Sequence, residues 1–301
     1  MWTKFKYLFV VLGLFSALLI ITFVSLPDEN LHIIACDVGQ GDAILIKAKN
    51  TQLLIDGGKD DKLLDCLAKN MPFWDKNIEI VILTHQQIDH YGGLIEVFKA
   101  YSVDSFLVSP IDSSNQSFRL LKSLVGSSGT RIVNPTAGMV VRLGKIHLDI
   151  VHPNENFLAL NTVNQKEVSG GAVLGGATTF RDPNDFSIVA ILSFGNFDAL
   201  FTGDIGPEIS DMLAQELSQK GDKRKVEYIK VPHHGSKNGL TKSLLDVTKP
   251  KVAVISVGKN QWGHPHKEVI ELLKEEGVKI LRTDEIGDIE LVTDGRSWWL
   301  K

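Results

Sequence analysis

The sequence predicts an α/β protein in which two sheets pack face to face, helices cover the outside, and a site runs along one edge. Two observations carry this, and a third adds a membrane anchor ahead of it. Short apolar strands alternate with helical stretches through both halves of the chain. In each half, His and Asp residues stand where strands end. Ahead of both halves, residues 7–26 run for twenty positions without a charge, the length of one membrane-spanning helix. The expected division is a cytoplasmic tip and anchor over residues 1–28 and a single domain over 29–301.

Lys4 and Lys6 precede the apolar stretch, and Asp28 and Glu29 follow it. This bias places the N-terminus in the cytoplasm and the domain outside the cell membrane. The stretch is longer than a signal-peptide core and lacks a small-x-small cleavage site, which favours an uncleaved anchor. With 301 residues, 44% hydrophobic and 23% charged, the chain can bury a full core. A net charge of -4 excludes the global basic character of a dedicated nucleic-acid binder. Two cysteines, Cys36 and Cys66, are too few for a disulfide framework and read as buried free thiols.

Residues 31–58 read as three short strands with tight turns. Between the first two, Asp37-Val38-Gly39-Gln40-Gly41-Asp42 holds more polar chemistry than a plain turn requires. The third ends in Asp56-Gly57-Gly58, a carboxylate where the backbone turns sharply. A helix over 61–70 leads to a buried strand over 78–84, which empties His85, Asp89 and His90 into the loop before a helix over 92–101. Imidazoles and a carboxylate delivered together by a strand end form a metal cup, in which Asp89 and His90 aim at one ion and His85 at a neighbouring position. A strand over 106–109, a helix near 116–125 and a hairpin over 139–153 follow, with His152 as a further candidate ligand just past the hairpin. Residues 161–183 show no periodicity and read as a substrate-facing lid or an insertion.

Order resumes over 186–204, two strands ending in Thr202-Gly203-Asp204. After a helix over 206–219 and the basic run Lys220, Lys223, Arg224, Lys225, another strand delivers His233 and His234, followed by Gly235 and Ser236. The final third holds a strand over 252–257, a loop carrying His264 and His266, a helix over 267–276 and a terminal hairpin near Glu285-Ile286-Gly287.

Taken together, DVGQGD, LLIDGG, THQQIDHYGG, LFTGD, VPHHGS and SVGKNQWGHPH resemble the metallo-β-lactamase-fold hydrolases, specifically the soluble domain of ComEC-type DNA-uptake proteins. The resemblance covers residues 31–297 and implies an αββα sandwich behind the anchor, holding one or two zinc or manganese ions. By motif it implies that Asp56 orients the metal loop, with Asp37 and Asp42 as further carboxylates behind the ligands. His85 would bind the first ion, Asp89 and His90 the second, and Asp204 would bridge them. His233 or His234 would complete the second position. Asp89 would also hold the nucleophile, and His264 or His266 would serve the leaving group. Lys230, Ser236 and Asn260 would face the substrate. The chain departs from the family at Gln87, where the family has His or Asp; a neutral amide oxygen is a poorer ligand, and a one-metal or weakened two-metal enzyme follows. The expected activity is hydrolysis of DNA or another phosphodiester, with a separate channel protein as a partner. The alternatives are an envelope phosphoester hydrolase and a non-catalytic domain that binds nucleic acid or a partner.

Overall fold

The computed structural model describes residues 7, 9–16, 28–163, 172–219 and 225–301. Its first sheet opens with β1 (Leu31–Ala35), β2 (Ile44–Ala48) and β3 (Thr51–Ile55), paired antiparallel in sequence. Helix α1 (Lys62–Asn70) then crosses over to β4 (Asn77–Leu83), which lies parallel to β3 with Leu54 opposite Val81. A single turn, α2 (Ile88–Tyr91), and α3 (Leu94–Ala100) lead to β5 (Ser102–Val108), and α4 (Gln116–Ser128) to β6 (Arg131–Val133), both again parallel.

The chain then crosses to a second sheet. Strands β7 (Val140–Leu143) and β8 (Ile146–His152) form the expected hairpin, and α5 (Glu155–Asn161) leaves it. Strands β9 (Val189–Phe194) and β10 (Phe197–Phe201) form a second hairpin. Helices α6 (Pro207–Gln219), α7 (Lys242–Thr248) and α8 (Lys267–Glu275) alternate with the parallel strands β11 (Tyr228–Lys230), β12 (Val252–Ile255) and β13 (Lys279–Arg282). A short helix, α9 (Thr283–Ile286), occupies the place where a hairpin turn was expected. The hairpin lies beyond it, between β14 (Ile289–Thr293) and β15 (Trp298–Leu300), and returns to the first sheet beside β1. Eight strands make one sheet and seven the other.

Strand alternation sorts the side chains into layers. Leu31, Ile33, Ile44, Ile46, Leu53 and Ile82 face Leu148, Ile150, Leu192, Phe194, Phe201 and Val254 across the centre. The residues between them point outward. Ile34, Leu45, Leu54 and Val81 meet Leu63, Leu67, Leu94 and Phe118 of the helices on one side. On the other side Ile191, Leu200, Ile229 and Ala253 meet Leu213, Leu244 and Leu273. Buried on both faces, these strands read as near-continuous apolar runs, and each buried Leu, Ile or Phe contributes about 1.5–3 kcal/mol.

The cysteines depart from expectation. Cys36, at the end of β1, and Cys66, in α1, form a disulfide with Cα atoms 5.9 Å apart, not two free thiols. Helix α1 lies across the outer face of β1 and β2, which brings together thiols thirty residues apart. Most of the expected anchor over residues 7–26 lies outside the described residues; among those described, no helix is long and apolar enough to cross a membrane.

Candidate metal centre

The site forms where strands of both sheets end together. From the first sheet, β3 delivers Asp56 and β4 delivers Thr84 and His85, with Asp89 and His90 on the turn beyond. From the second, β10 delivers Asp204, β11 ends in Lys230, and the tight turn after it carries His233 and His234. Backbone hydrogen bonds knit the loops. Asp42 N donates to Asp89 O at 3.2 Å, Gly57 N to His90 O at 2.6 Å, and Gly93 N to Gly58 O at 3.0 Å. Such proximity needs glycine: a Cβ on Gly41 would fall 2.3 Å from Asp89 O. Asp56, His233 and His234 all hold left-handed backbone (φ 59°, 51° and 53°), strain that sets side-chain direction at a site.

Three imidazoles are oriented alike. His90 donates from Nδ1 to Asp56 Oδ2 at 2.8 Å, and His234 from Nδ1 to Ser256 O at 2.9 Å. His85 Nδ1 lies 3.1 Å from Thr84 Oγ1, whose own proton goes to Asp56 at 2.7 Å. In all three the Nε2 atom is buried with no hydrogen-bond partner. Imidazoles held through Nδ1 with Nε2 free are arranged as metal ligands.

The free atoms converge. Asp204 Oδ2 is 3.3 Å from His90 Nε2 and 3.2 Å from His234 Nε2, and Asp89 Oδ2 is 3.5 Å from His234 Nε2. Ligands about 2.0–2.1 Å from a tetrahedral ion stand about 3.3–3.4 Å apart, which is close to the spacing Asp204 Oδ2 keeps from His90 and His234, and Asp89, His90 and His234 form a ligand group whose donor atoms lie within 4.8 Å of one another. Asp89 is the most exposed of the four side chains, at 19%.

The electrostatics point the same way. Burial opposes charge on His90 and His234, but Asp204 with Asp56, and Asp204 with Asp42, outweigh it and hold both rings well above the usual imidazole range. Burial also opposes the Asp204 and Asp89 charges, yet the surrounding imidazoles, and Lys230 at Asp204, keep both well below the usual carboxylate range. His85 is pushed down to about 3, by burial and then by the neighbouring His90 charge.

Other expected residues stand elsewhere. His152 is buried, but its Nε2 donates to Asp185 O at 2.8 Å and its ring packs on Phe157; it belongs to the core beside α5 and to none of the ligand groups. Gln87 donates to Asn184 Oδ1 at 2.6 Å. Asp37 is exposed and caps its own turn through Gly39 N, whereas Asp42 is buried inside the centre. Lys230 does not face a substrate: it is buried, donates to Gly203 O at 2.9 Å, and contacts Asp204 and Asp42. Asn260 ties its own loop together, donating to Gly258 O and His264 O and accepting from Trp262 N and His264 N. Ser236 is buried, and its hydroxyl caps Asn238 N. His233 and His264 are partly buried with ring centroids 5.5 Å apart, and His266, 5.0 Å from His264, accepts from Lys237 N. His264 is held down to about 4, by burial first and then by the neighbouring histidines. Of the basic run, residues 220–224 lie outside the described residues.

Sequence reasoning passed over Thr84, whose hydroxyl links Asp56 to His85, and the inward role of Lys230. The signal for the second was present: a lone lysine between Ile229 and Val231 in an apolar strand.

Among solved structures, the metallo-β-lactamase-fold protein YhfI of Bacillus subtilis superposes with a TM-score of 0.56 at 10% identity, covering 88% of this chain and 100% of its own. CmlA, a diiron β-hydroxylase of Streptomyces venezuelae, gives 0.51 at 12% identity, over 89% of this chain and 54% of its own. Curated relatives include ComE operon protein 3 of Bacillus subtilis, 25% identical over 84% of this chain and 32% of that protein. Recombination protein 2 of Haemophilus influenzae is 26% identical over 84% and 28%. Competence protein ComA of Neisseria gonorrhoeae is 23% identical over 91% and 35%. The chain thus spans about a third of the length of the curated relatives it matches. The family model described as the metallo-beta-lactamase superfamily matches residues 36–259, most of the chain, and that is the family to which this protein belongs.

Proposed function

We propose that this protein is a membrane-anchored, extracytoplasmic phosphodiesterase that cleaves DNA, using a zinc or manganese ion at the Asp89–His90–Asp204–His234 centre. The observation that carries the reading is the convergence of those side chains: Asp204 Oδ2 lies 3.3 Å from His90 Nε2 and 3.2 Å from His234 Nε2, and Asp89 Oδ2 lies 3.5 Å from His234 Nε2. A bound divalent ion lowers the pKa of a water molecule to about 7 and polarises a phosphoryl oxygen. The chain's own residues do the rest. Asp56 and Ser256 fix the tautomers of His90 and His234, and the ionised, partly exposed Asp89 accepts a hydrogen bond from an entering water. His264, neutral at pH 7, offers one N–H to a phosphate or leaving-group oxygen.

DNA as substrate is supported by the relatives named for competence and recombination. An extracytoplasmic position is supported by the Cys36–Cys66 disulfide, since such bonds persist in oxidising compartments. The anchor is supported by the uncharged stretch at 7–26, and the single-domain division at 29–301 by the continuous two-sheet core. A channel protein is the partner this reading calls for. Gln87 favours the second reading, a non-catalytic domain that binds nucleic acid or a partner.

The experiment is cleavage of labelled single- and double-stranded DNA by the full chain in detergent, with manganese or zinc, beside an Asp89→Ala variant. Metal-dependent cleavage lost in the variant supports the reading. Hydrolysis of a small phosphodiester without cleavage of DNA moves the substrate to an envelope phosphoester. Neither activity, with metal bound, leaves the binding module.

A further inference from the structure

Among the described residues, Lys230 is the only lysine whose side chain is fully buried, and it ends inside the metal centre. Its ammonium lies 3.1 Å from Asp204 Oδ1, against Asp42 Oδ2, and 2.9 Å from Gly203 O, so three acceptors surround its three protons. Asp204 is thereby divided. Its Oδ2 faces the free Nε2 atoms of His90 and His234, while its Oδ1 is held by a fixed cation. A carboxylate that bridges two ions through both its oxygens gives one to each, and here one of the pair is taken.

The neighbouring position is poor in donors for the same reason and a second one. His85 Nε2 is free and lies in one ligand group with His90 and Asp204. Position 87 carries an amide, engaged with Asn184 through its nitrogen at 2.6 Å. His152, the other expected donor, is turned into the core. One unshared imidazole falls short of the three protein donors of a zinc site, and a buried ammonium that shares Asp204 opposes the charge of a second cation.

We infer that the centre holds one divalent ion, and that Lys230 stands in the charge balance where a second ion would, fixing Asp204 as a ligand to a single metal. This rests on the metal-centre reading above but not on any substrate. In it Lys230 is a positioning residue: it aims the Asp204 carboxylate and neutralises Asp42, and it touches neither water nor substrate.

The experiment counts ions. The full chain in detergent is equilibrated with excess manganese, separated from free metal, and its manganese measured per chain by mass spectrometry. Electron paramagnetic resonance records whether the bound ions couple. Wild type is expected to hold one ion with an uncoupled six-line signal. Gln87→His, which adds the missing imidazole with Lys230 in place, is expected to remain at one. Gln87→His with Lys230→Met is expected to reach two, with a coupled signal, and Lys230→Arg to restore one. Two ions in wild type, or in Gln87→His alone, overturn the inference, and they do so even if the Met variant fails to fold. A folded wild-type protein with no ion overturns both this inference and the metal-centre reading, whereas one ion without DNA cleavage overturns only the substrate.

Discussion

Asp56 shows how much one side chain organises. Its carboxylate accepts from Thr84 N, Thr84 Oγ1 and His90 Nδ1, each at 2.7–2.8 Å, with no access to solvent. Asp56→Asn replaces an acceptor oxygen with a donor and leaves a buried group unmatched. It is expected to weaken metal binding about 10–100-fold, read by chelator competition, and to cost about 1–3 kcal/mol in denaturant unfolding. His90 and His234 supply a pH prediction. Both pKa values are raised in the ion-free protein, so the stability they contribute is fully present below the unfolded imidazole value of about 6.5 and is lost as pH rises through the raised values. Metal needs the same rings neutral. Metal affinity is therefore expected to fall with falling pH, by about tenfold per unit for each proton displaced, and calorimetry in buffers of different ionisation enthalpy should register the protons released on binding. At this scale the sequence exposed the ligands through their positions at strand ends, but it did not show which ring nitrogen is free or that His152 turns away.

The elements are placed by loops that touch through backbone. Gly41 holds φ +140°, and a Cβ there would strike the Asp89 carbonyl. Gly41→Ala is expected to cost about 1–3 kcal/mol and to displace the turn bearing Asp89, visible as weakened metal binding in a protein whose circular dichroism is unchanged. Helix α1 is tied to β1 by Cys36–Cys66, which closes a loop of thirty residues. Removing the bond with Cys36→Ala and Cys66→Ala is expected to lose about 2–4 kcal/mol, with the difference from wild type vanishing under reductant. Strand and helix positions were legible because their apolar periods differ. The pairing of the cysteines was not, since thirty residues of spacing say nothing about which face of β1 the helix crosses. The last hairpin was misplaced for a related reason: a turn-like Glu285-Ile286-Gly287 is equally the end of a short helix.

At the scale of the molecule, the ion is expected to act as a staple between sheets. Asp89 and His90 come from the first sheet's loops, and Asp204 and His234 from the second's. An ion that binds only the folded state at a free concentration a hundred times its dissociation constant adds about 2.7 kcal/mol. Chelation should then lower the melting temperature by several degrees, and Asp89→Ala should melt at the chelated value with or without manganese. Read from the sequence, two β-rich halves with polar residues at strand ends were enough for the two-sheet class, because burial on both faces forces continuous apolar runs and expels charge to the ends. Chemistry at those ends was equally plain, since several of these histidines and carboxylates have no reason in packing to recur there. What a linear chain cannot carry is convergence across the sheets. Lys230 reads as one more basic residue until folding places it between Asp42 and Asp204. Cys36 reads as a thiol until α1 covers it, and His152 as a ligand until its ring meets Phe157. Each of those outcomes depends on a partner at least five residues away in sequence and brought near by packing, which no local pattern encodes.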